Sequence, residues 1–129
     1  MDNLQQPGIE RLKEHVERVL KLARELGASD AEASASFSSG LSVTVRMRDV
    51  ETLEYHRDQG IGLTVYFGQR KGSASTSDLG SEAIEESVRR ACGLAKYAAK
   101  DDCAGLADAD RLARSIPDLD LCHPWPIEN

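Results

Sequence analysis

IGLTVYFGQRKGSASTS, residues 61–77, holds two alternating stretches separated by a basic turn. Ile61, Leu63, Val65 and Phe67 recur at every second position, the spacing of a strand with one face buried. Gly68 and Gly72 bracket Gln69, Arg70 and Lys71, and Gly72 to Ser77 then alternates small and hydroxyl residues. Basic side chains beside glycines and serines can cradle a phosphate, so the stretch admits two readings. A P-loop runs strand, GxxxxGK[ST], helix, because the helix N-terminus helps hold the anion. Here Lys71 precedes the second glycine, the glycines are too close, and another alternating stretch follows. The better reading is a β-hairpin with a glycine at each end and a solvated basic tip.

Working outward from this hairpin, the chain divides into helix, strands, helix. Ile9, Leu12, Val16, Val19, Leu20, Ala23 and Leu26 fall on one face of a helix over 9–26, with Gly27 as its stop. Ala31, Ala33, Ala35 and Phe37 alternate with polar residues, and after Ser39-Gly40 so do Leu41, Val43 and Val45. These predict two strands joined by a turn. Residues 50–56 predict a third strand, broken by Asp58-Gln59-Gly60 from the strand over 61–67. Residues 72–77 make a fifth, short and polar strand. A second helix is predicted from Ser81, its N-cap, to Lys100, with Ile84, Val88, Ala91, Cys92, Ala95, Ala98 and Ala99 facing inward. Glu85 with Arg89, and Glu86 with Arg90, stand at i,i+4 on its outer face. Beyond Lys100 only residues 108–115 offer a short helical pattern. The expected fold is α+β: a two-layer sandwich of an antiparallel four- to five-stranded meander with two helices packed on one face.

The composition sets limits on function. Of 129 residues 40% are hydrophobic and 29% charged, with a net charge of −6. Such a balance fits one acidic globular domain and disfavours nucleic acid or an anionic membrane as partner. No apolar run is long enough to span a bilayer, and MDNLQQPGIE does not read as a secretory signal, so a cytoplasmic location is expected. Cys92, Cys103 and Cys122 are odd in number and irregular in spacing, which does not read as a disulfide framework or a CxxC zinc pair.

No catalytic constellation emerges from the residues. His15, His56 and His123 lie far apart, and neither HExxH nor HExxxH occurs. Cys92 is expected in the core. Six residues remain as candidates for contact with a peptide or partner. Arg70 and Lys71 form a rare basic spot. Ser73 and Ser75 project to one side of the last strand, a polar edge that can accept an added peptide strand, although a solvated edge is the simpler reading. Tyr97 points away from the helix core face. Trp125 sits in the proline-flanked stretch LCHPWP, an apolar group in search of cover.

GIGLTVYFGQRKGSASTSDL (residues 60–79) resembles the PmbA/TldE branch of the TldD/PmbA family. So do GLSVTVRMRDVETLEYHRDQG (40–60), DDCAGLAD (101–108) and DLDLCHPW (118–125). Family members are much longer, with an N-terminal α/β domain and a larger β-rich C-terminal domain. The resemblance implies a subunit of a cytoplasmic heterodimeric metalloprotease that degrades unfolded peptides, processes a peptide-antibiotic precursor and degrades an antitoxin. The TldD subunit carries HExxxH; this chain lacks it, so no catalytic residue carries over. A zinc-type metal is expected only in the partner subunit, with no cofactor in this chain. Residues 1–100 are then the N-terminal domain, and 101–129 an extended tail or linker toward a C-terminal domain. The alternative is a stand-alone peptide- or protein-binding module, for example a gyrase-related regulator acting through a protein partner.

Overall fold

A computed structural model describes residues 8–120. Helix α1 (Ile9–Glu25) leads into strands β1 (Asp30–Arg46), β2 (Asp49–Phe67) and β3 (Arg70–Thr76), and helix α2 (Ser81–Tyr97) follows. The sheet has three strands in the order β1-β2-β3, each antiparallel to its neighbour. Both helices pack on one face. Val19 and Ala23 of α1 meet Ile61, Leu63 and Val65 of β2, and Ile84, Val88, Ala91, Cys92 and Ala95 of α2 complete the core. The two-layer α+β architecture is as expected; four to five strands is not.

The strand count differs because two expected interruptions are absent. Ser39-Gly40 and Asp58-Gln59-Gly60 both lie inside continuous strands, paired with each other's neighbours: Gly40 faces His56 and Ser38 faces Asp58. Apolar residues keep the same odd parity on both sides of each glycine, from Ala31 through Phe37 to Val45, and from Leu53 through Ile61 to Phe67. That continuity, and not the turn-forming composition, governs the backbone. Gly40 lacks a positive φ, and a Cβ there would overlap the His56 ring, so the imidazole fills the space that a side chain would take. The reversal comes instead at Met47 and Arg48, with φ 52° and 71°. A short two-residue hairpin turn of that hand suits the twist of the ribbon, although Asn-Gly would adopt it at lower cost.

The sheet is therefore lopsided. β3 pairs only with Ile61–Phe67 of β2. Beyond that, β1 and β2 continue alone as a two-stranded arm, with a bulge near Thr44/Val45 where Val45 pairs Val50 and Glu51 is the extra residue.

Turn and helix ends also shift from expectation. The β2–β3 turn is Gly68-Gln69, with Gly68 at φ +62°. Gly72 lies within β3, buried against α2: a Cβ there would overlap the Ala91 carbonyl oxygen and the Ala95 amide nitrogen. α1 ends as predicted in a Gly27 stop at φ +92°, with Ala28 N–H donating to Ala23 O and Gly27 N–H to Arg24 O. α2 is capped by Gly80 and not by Ser81, because Asp78 Oδ1 accepts from Gly80 N–H and turns the chain into the helix one residue early. Ser81 Oγ instead accepts from Arg18 of α1 at 2.6 Å. The helix stops at Tyr97, and Ala98 is already extended. Residues 108–115 form no helix, only a turn in which Arg111 N–H donates to Asp108 O. The two predicted ion pairs on α2 are present, Arg89–Glu85 at 2.6 Å and Arg90–Glu86 at 2.9 Å, both exposed and each worth only about 0.3–0.5 kcal/mol.

Two substitutions probe these placements. Gly72→Ala forces α2 off the sheet and lowers unfolding stability by about 3 kcal/mol, read as a drop in urea midpoint; an unchanged midpoint removes the close approach as a constraint. Met47→Asn with Arg48→Gly relieves the hairpin turn by about 1 kcal/mol, slowing amide exchange across the arm roughly fivefold. Unchanged exchange in Leu41–Tyr55 would refute that assignment.

Candidate functional site

The face of the sheet opposite the helices carries hydroxyl groups in cross-strand rows. Ser34, Gly62 and Ser75 stand opposite one another, and Glu32, Thr64 and Ser73 form the next row. Together they line a shallow hollow of about 500 Å³. Gly62 at the middle of its row leaves the floor open. Thr64 Oγ1 and Ser73 Oγ share a hydrogen bond at 2.9 Å. Beside the hollow Tyr66 is buried, and its hydroxyl donates to Glu32 at 3.2 Å.

The residues singled out from sequence are dispersed around this face. Ser73 and Ser75 line the hollow, while Ala74 between them packs on the core, as the alternation requires. Arg70 does not present its charge to a ligand: its guanidinium donates to the Lys96 carbonyl at 3.2 Å and so satisfies the end of α2. Lys71 is exposed on β3, level with Tyr66. Tyr97, the last residue of α2, is 93% exposed. Trp125 lies outside the described residues, as do Cys122 and His123. Glu32, Ser34, Thr64 and Tyr66 were missed. Their signal was the even parity they share along β1 and β2, which marks the open face as plainly as odd parity marks the core.

The hollow's lining holds one ionisable group, Glu32, and no histidine or cysteine. His56 lies on the arm over Gly40, and His15 is half-buried on α1. Among the described residues no three His, Cys, Asp or Glu side chains converge in a group that could hold a metal. Cys92 is in the core, where burial pushes its thiol up against the lowering influence of Lys96.

A second surface is apolar. Ile9, Leu12 and Val16 of α1, with Ala35, Ser36 and Phe37 of β1, line a groove of about 570 Å³. From there the core-side face of the arm continues through Val43, Val45 and Leu53, with Tyr55, Val50 and the turn residue Met47, all exposed. Leu53 is 62% exposed and Met47 88%, so this face lacks cover among the described residues.

Comparison with known proteins agrees with this architecture. Residues 31–95 match the family described as PmbA/TldA metallopeptidase domain 1. The chain is 44% identical over 119 residues to a metalloprotease PmbA homolog of Haemophilus influenzae, and 46% identical over 117 residues to metalloprotease PmbA of Escherichia coli. These alignments cover 92% and 90% of this chain but 26% of either relative, so the chain spans about a quarter of their length. A crystal structure from Bacteroides thetaiotaomicron, whose protein carries the name modulator of DNA gyrase, superposes with TM-score 0.75 at 28% identity, over 84% of this chain and 24% of that one. TldE from Thermococcus kodakarensis shares the fold with TM-score 0.68 at 14% identity, over 81% of this chain and 23% of that one. The fold is that of the first domain of a metallopeptidase-type protein. The chain belongs to the PmbA/TldD family, in its PmbA/TldE branch.

Tyr66 offers a spectroscopic handle on the open face. Burial raises its pKa above the ordinary 10.0, the Glu32 carboxylate adds through charge and hydrogen bond, and Asp30 adds through charge. The folded state thus holds the phenolic proton more tightly than the unfolded chain. Its contribution to stability is complete below pH 10.0 and is lost as pH rises from there through the folded value. In an ultraviolet titration the step that Tyr66→Phe removes is expected above pH 10.0. Glu32→Gln should lower its midpoint without bringing it to 10.0, because burial remains. A Tyr66 midpoint at 10.0 would show that the Glu32 contact and the burial are absent.

Proposed function

We propose that this chain is the N-terminal domain of a PmbA/TldE-like subunit, non-catalytic by itself, that serves a cytoplasmic metalloprotease degrading unfolded peptides. One observation carries the reading: the chain aligns over nine-tenths of itself with a protein named metalloprotease PmbA, yet covers about a quarter of it. The chemistry is then assigned to residues outside this domain, with a zinc-type metal held by a TldD-like partner subunit. The domain's own work is to pack against the rest of its polypeptide and that partner, and to help wall the chamber in which a peptide is cut. Processing of a peptide-antibiotic precursor and degradation of an antitoxin are the corresponding substrate classes. In this reading residues 101–129 form a linker toward a C-terminal domain. Its start is consistent with that: Asp101 N–H donates to Gln69 O and Gln69 Nε2 donates to Asp102 O, tying the chain to the β2–β3 turn before it leaves the fold.

The hydroxyl-lined hollow favours a second reading, a binding module that takes an extended peptide across Ser34, Thr64, Ser73 and Ser75, with neither nucleic acid nor membrane as ligand; among the described residues no helix is long and apolar enough to cross a membrane. A gyrase-related regulator would be one such module. The readings separate by experiment. The 129-residue chain alone should leave an unfolded peptide intact, while a full-length PmbA-type protein carrying this domain, mixed with a TldD-like subunit, should cleave it in a chelator-sensitive way. Chelator-sensitive cleavage by the chain alone would overturn the subunit reading. Binding of the same peptide by the chain alone, detected by isothermal titration and lost in Ser34→Tyr, would favour the module.

A further inference from the structure

The outer edge of β1 is unusual in what it lacks. β1 is an edge strand of 17 residues, and among the described residues no backbone hydrogen bond from another element reaches its outer side. Natural edges of this length are blunted by lysine, proline, a bulge or a covering element. Residues 33–45, ASASFSSGLSVTV, contain no charge and no proline, and the bulge near the arm's tip puts its extra residue in β2 and not in β1. The other edge of the sheet, β3, is short, begins with Arg70 and Lys71, and is pressed against α2 at Gly72. One edge is guarded and the other left open.

The charges on β1 indicate what pairs with it. Acidic residues stand at its start, Asp30 and Glu32, and basic residues at its end, Arg46 and then Arg48 in the turn. An antiparallel copy of the same strand therefore sets acid against base at both ends. We propose that β1 pairs antiparallel with β1 of a second copy of this chain, about a two-fold axis through Ser39. In this register Glu32 meets Arg46 of the second copy on the open face, and Asp30 comes level with its Arg48. On the core face Ala33 meets Val45, Ala35 meets Val43, and Phe37 meets Leu41. A shift of two residues either way leaves one oppositely charged pair at each end instead of two. A shift of one residue sets core-face side chains against open-face ones.

The apolar groove supplies the independent observation. It is lined by α1 and by three successive residues of β1, Ala35 to Phe37, but by none of β2. Successive residues of a strand point to opposite faces, so a groove touching all three wraps the strand's outer edge. In the proposed register Leu41, Ser42 and Val43 of the second copy lie directly opposite those residues. Leu41 and Val43 then enter the groove beneath Leu12 and Val16, which gives the base of each apolar arm its missing cover. Each copy both offers and receives an arm, as an isologous interface requires. A paired edge about 50 Å long and about 10 Å deep buries on the order of 1,000 Å² in total, the lower bound for a specific contact. The result is one six-stranded sheet with all four helices on the same side. This pairing does not depend on the peptidase reading.

Sedimentation equilibrium of the 129-residue chain tests it, with a dimer of twice the 14.1 kDa chain mass expected at micromolar concentration. Glu32→Arg or Arg46→Glu alone should each weaken the dimer about tenfold. The two together in one chain should restore it, although Glu32 also accepts from Tyr66 and Arg46 also pairs with Glu51 at 3.2 Å. Loss of those intrachain contacts alone would accumulate in the double variant instead of cancelling. With Cys103 and Cys122 changed to serine, Ser39→Cys should form an intermolecular disulfide under mild oxidation, and Ser42→Cys alone should not, because it lies opposite Ser36. A monomer at all concentrations overturns the proposal, as does a dimer whose two charge reversals add, or one in which Ser39→Cys fails to cross-link.

Discussion

Gly72 meets the backbone of α2 where Ala91 and Ala95 turn toward the sheet, and there is no room between them for a methyl group. The arrangement of the two layers depends on this approach. A glycine in the strand and a helix face of alanines and a cysteine let the helix sit unusually close. The large side chains that fill the remaining space then come from the centre of β2, where Ile61, Leu63 and Val65 are almost fully buried. With few aromatics available, the core holds together by proximity of small groups, because dispersion falls off steeply with even a small gap.

The same geometry accounts for where the core stops. Helices and β3 cover β2 only from Ile61 onward, and β1 only to about Phe37. Past that line the two strands keep their apolar alternation with nothing to bury it against. An isolated two-stranded ribbon is marginal in water, and this one also carries two non-glycine residues at positive φ in its turn. A ribbon of that kind holds its shape most readily when a second surface supports it. Among the described residues Val43, Val45, Val50 and Leu53 stay exposed along it.

Function in such a protein lives in assembled sites and not in the domain's fold. The open face offers hydroxyls beside a single carboxylate, Glu32, which accepts from the buried Tyr66. Arg70, the most plausible anion ligand in the sequence, is engaged by the α2 terminus.

The sequence by itself determined the elements and their faces. Period-two and period-3.6 patterns identified α1, α2 and the Ile61–Phe67 strand, and odd parity along the strands named the core. Gly27 announced its stop, and four quoted stretches pointed to the family. It did not disclose whether Ser39-Gly40 and Asp58–Gly60 were turns, because a glycine's local freedom allows either outcome, and pairing with a partner strand decides. Only the tertiary structure showed Gly40 extended under His56, Gly72 as a contact point and not a turn, and Gly80 in place of Ser81 as the cap. The site followed the same division. Ser73 and Ser75 were legible from alternation, but the hollow also needs Ser34, Gly62 and Thr64 from two other strands, and their alignment is a matter of register. Register is set by the summed fit of whole strands, so no single stretch of the sequence contains it.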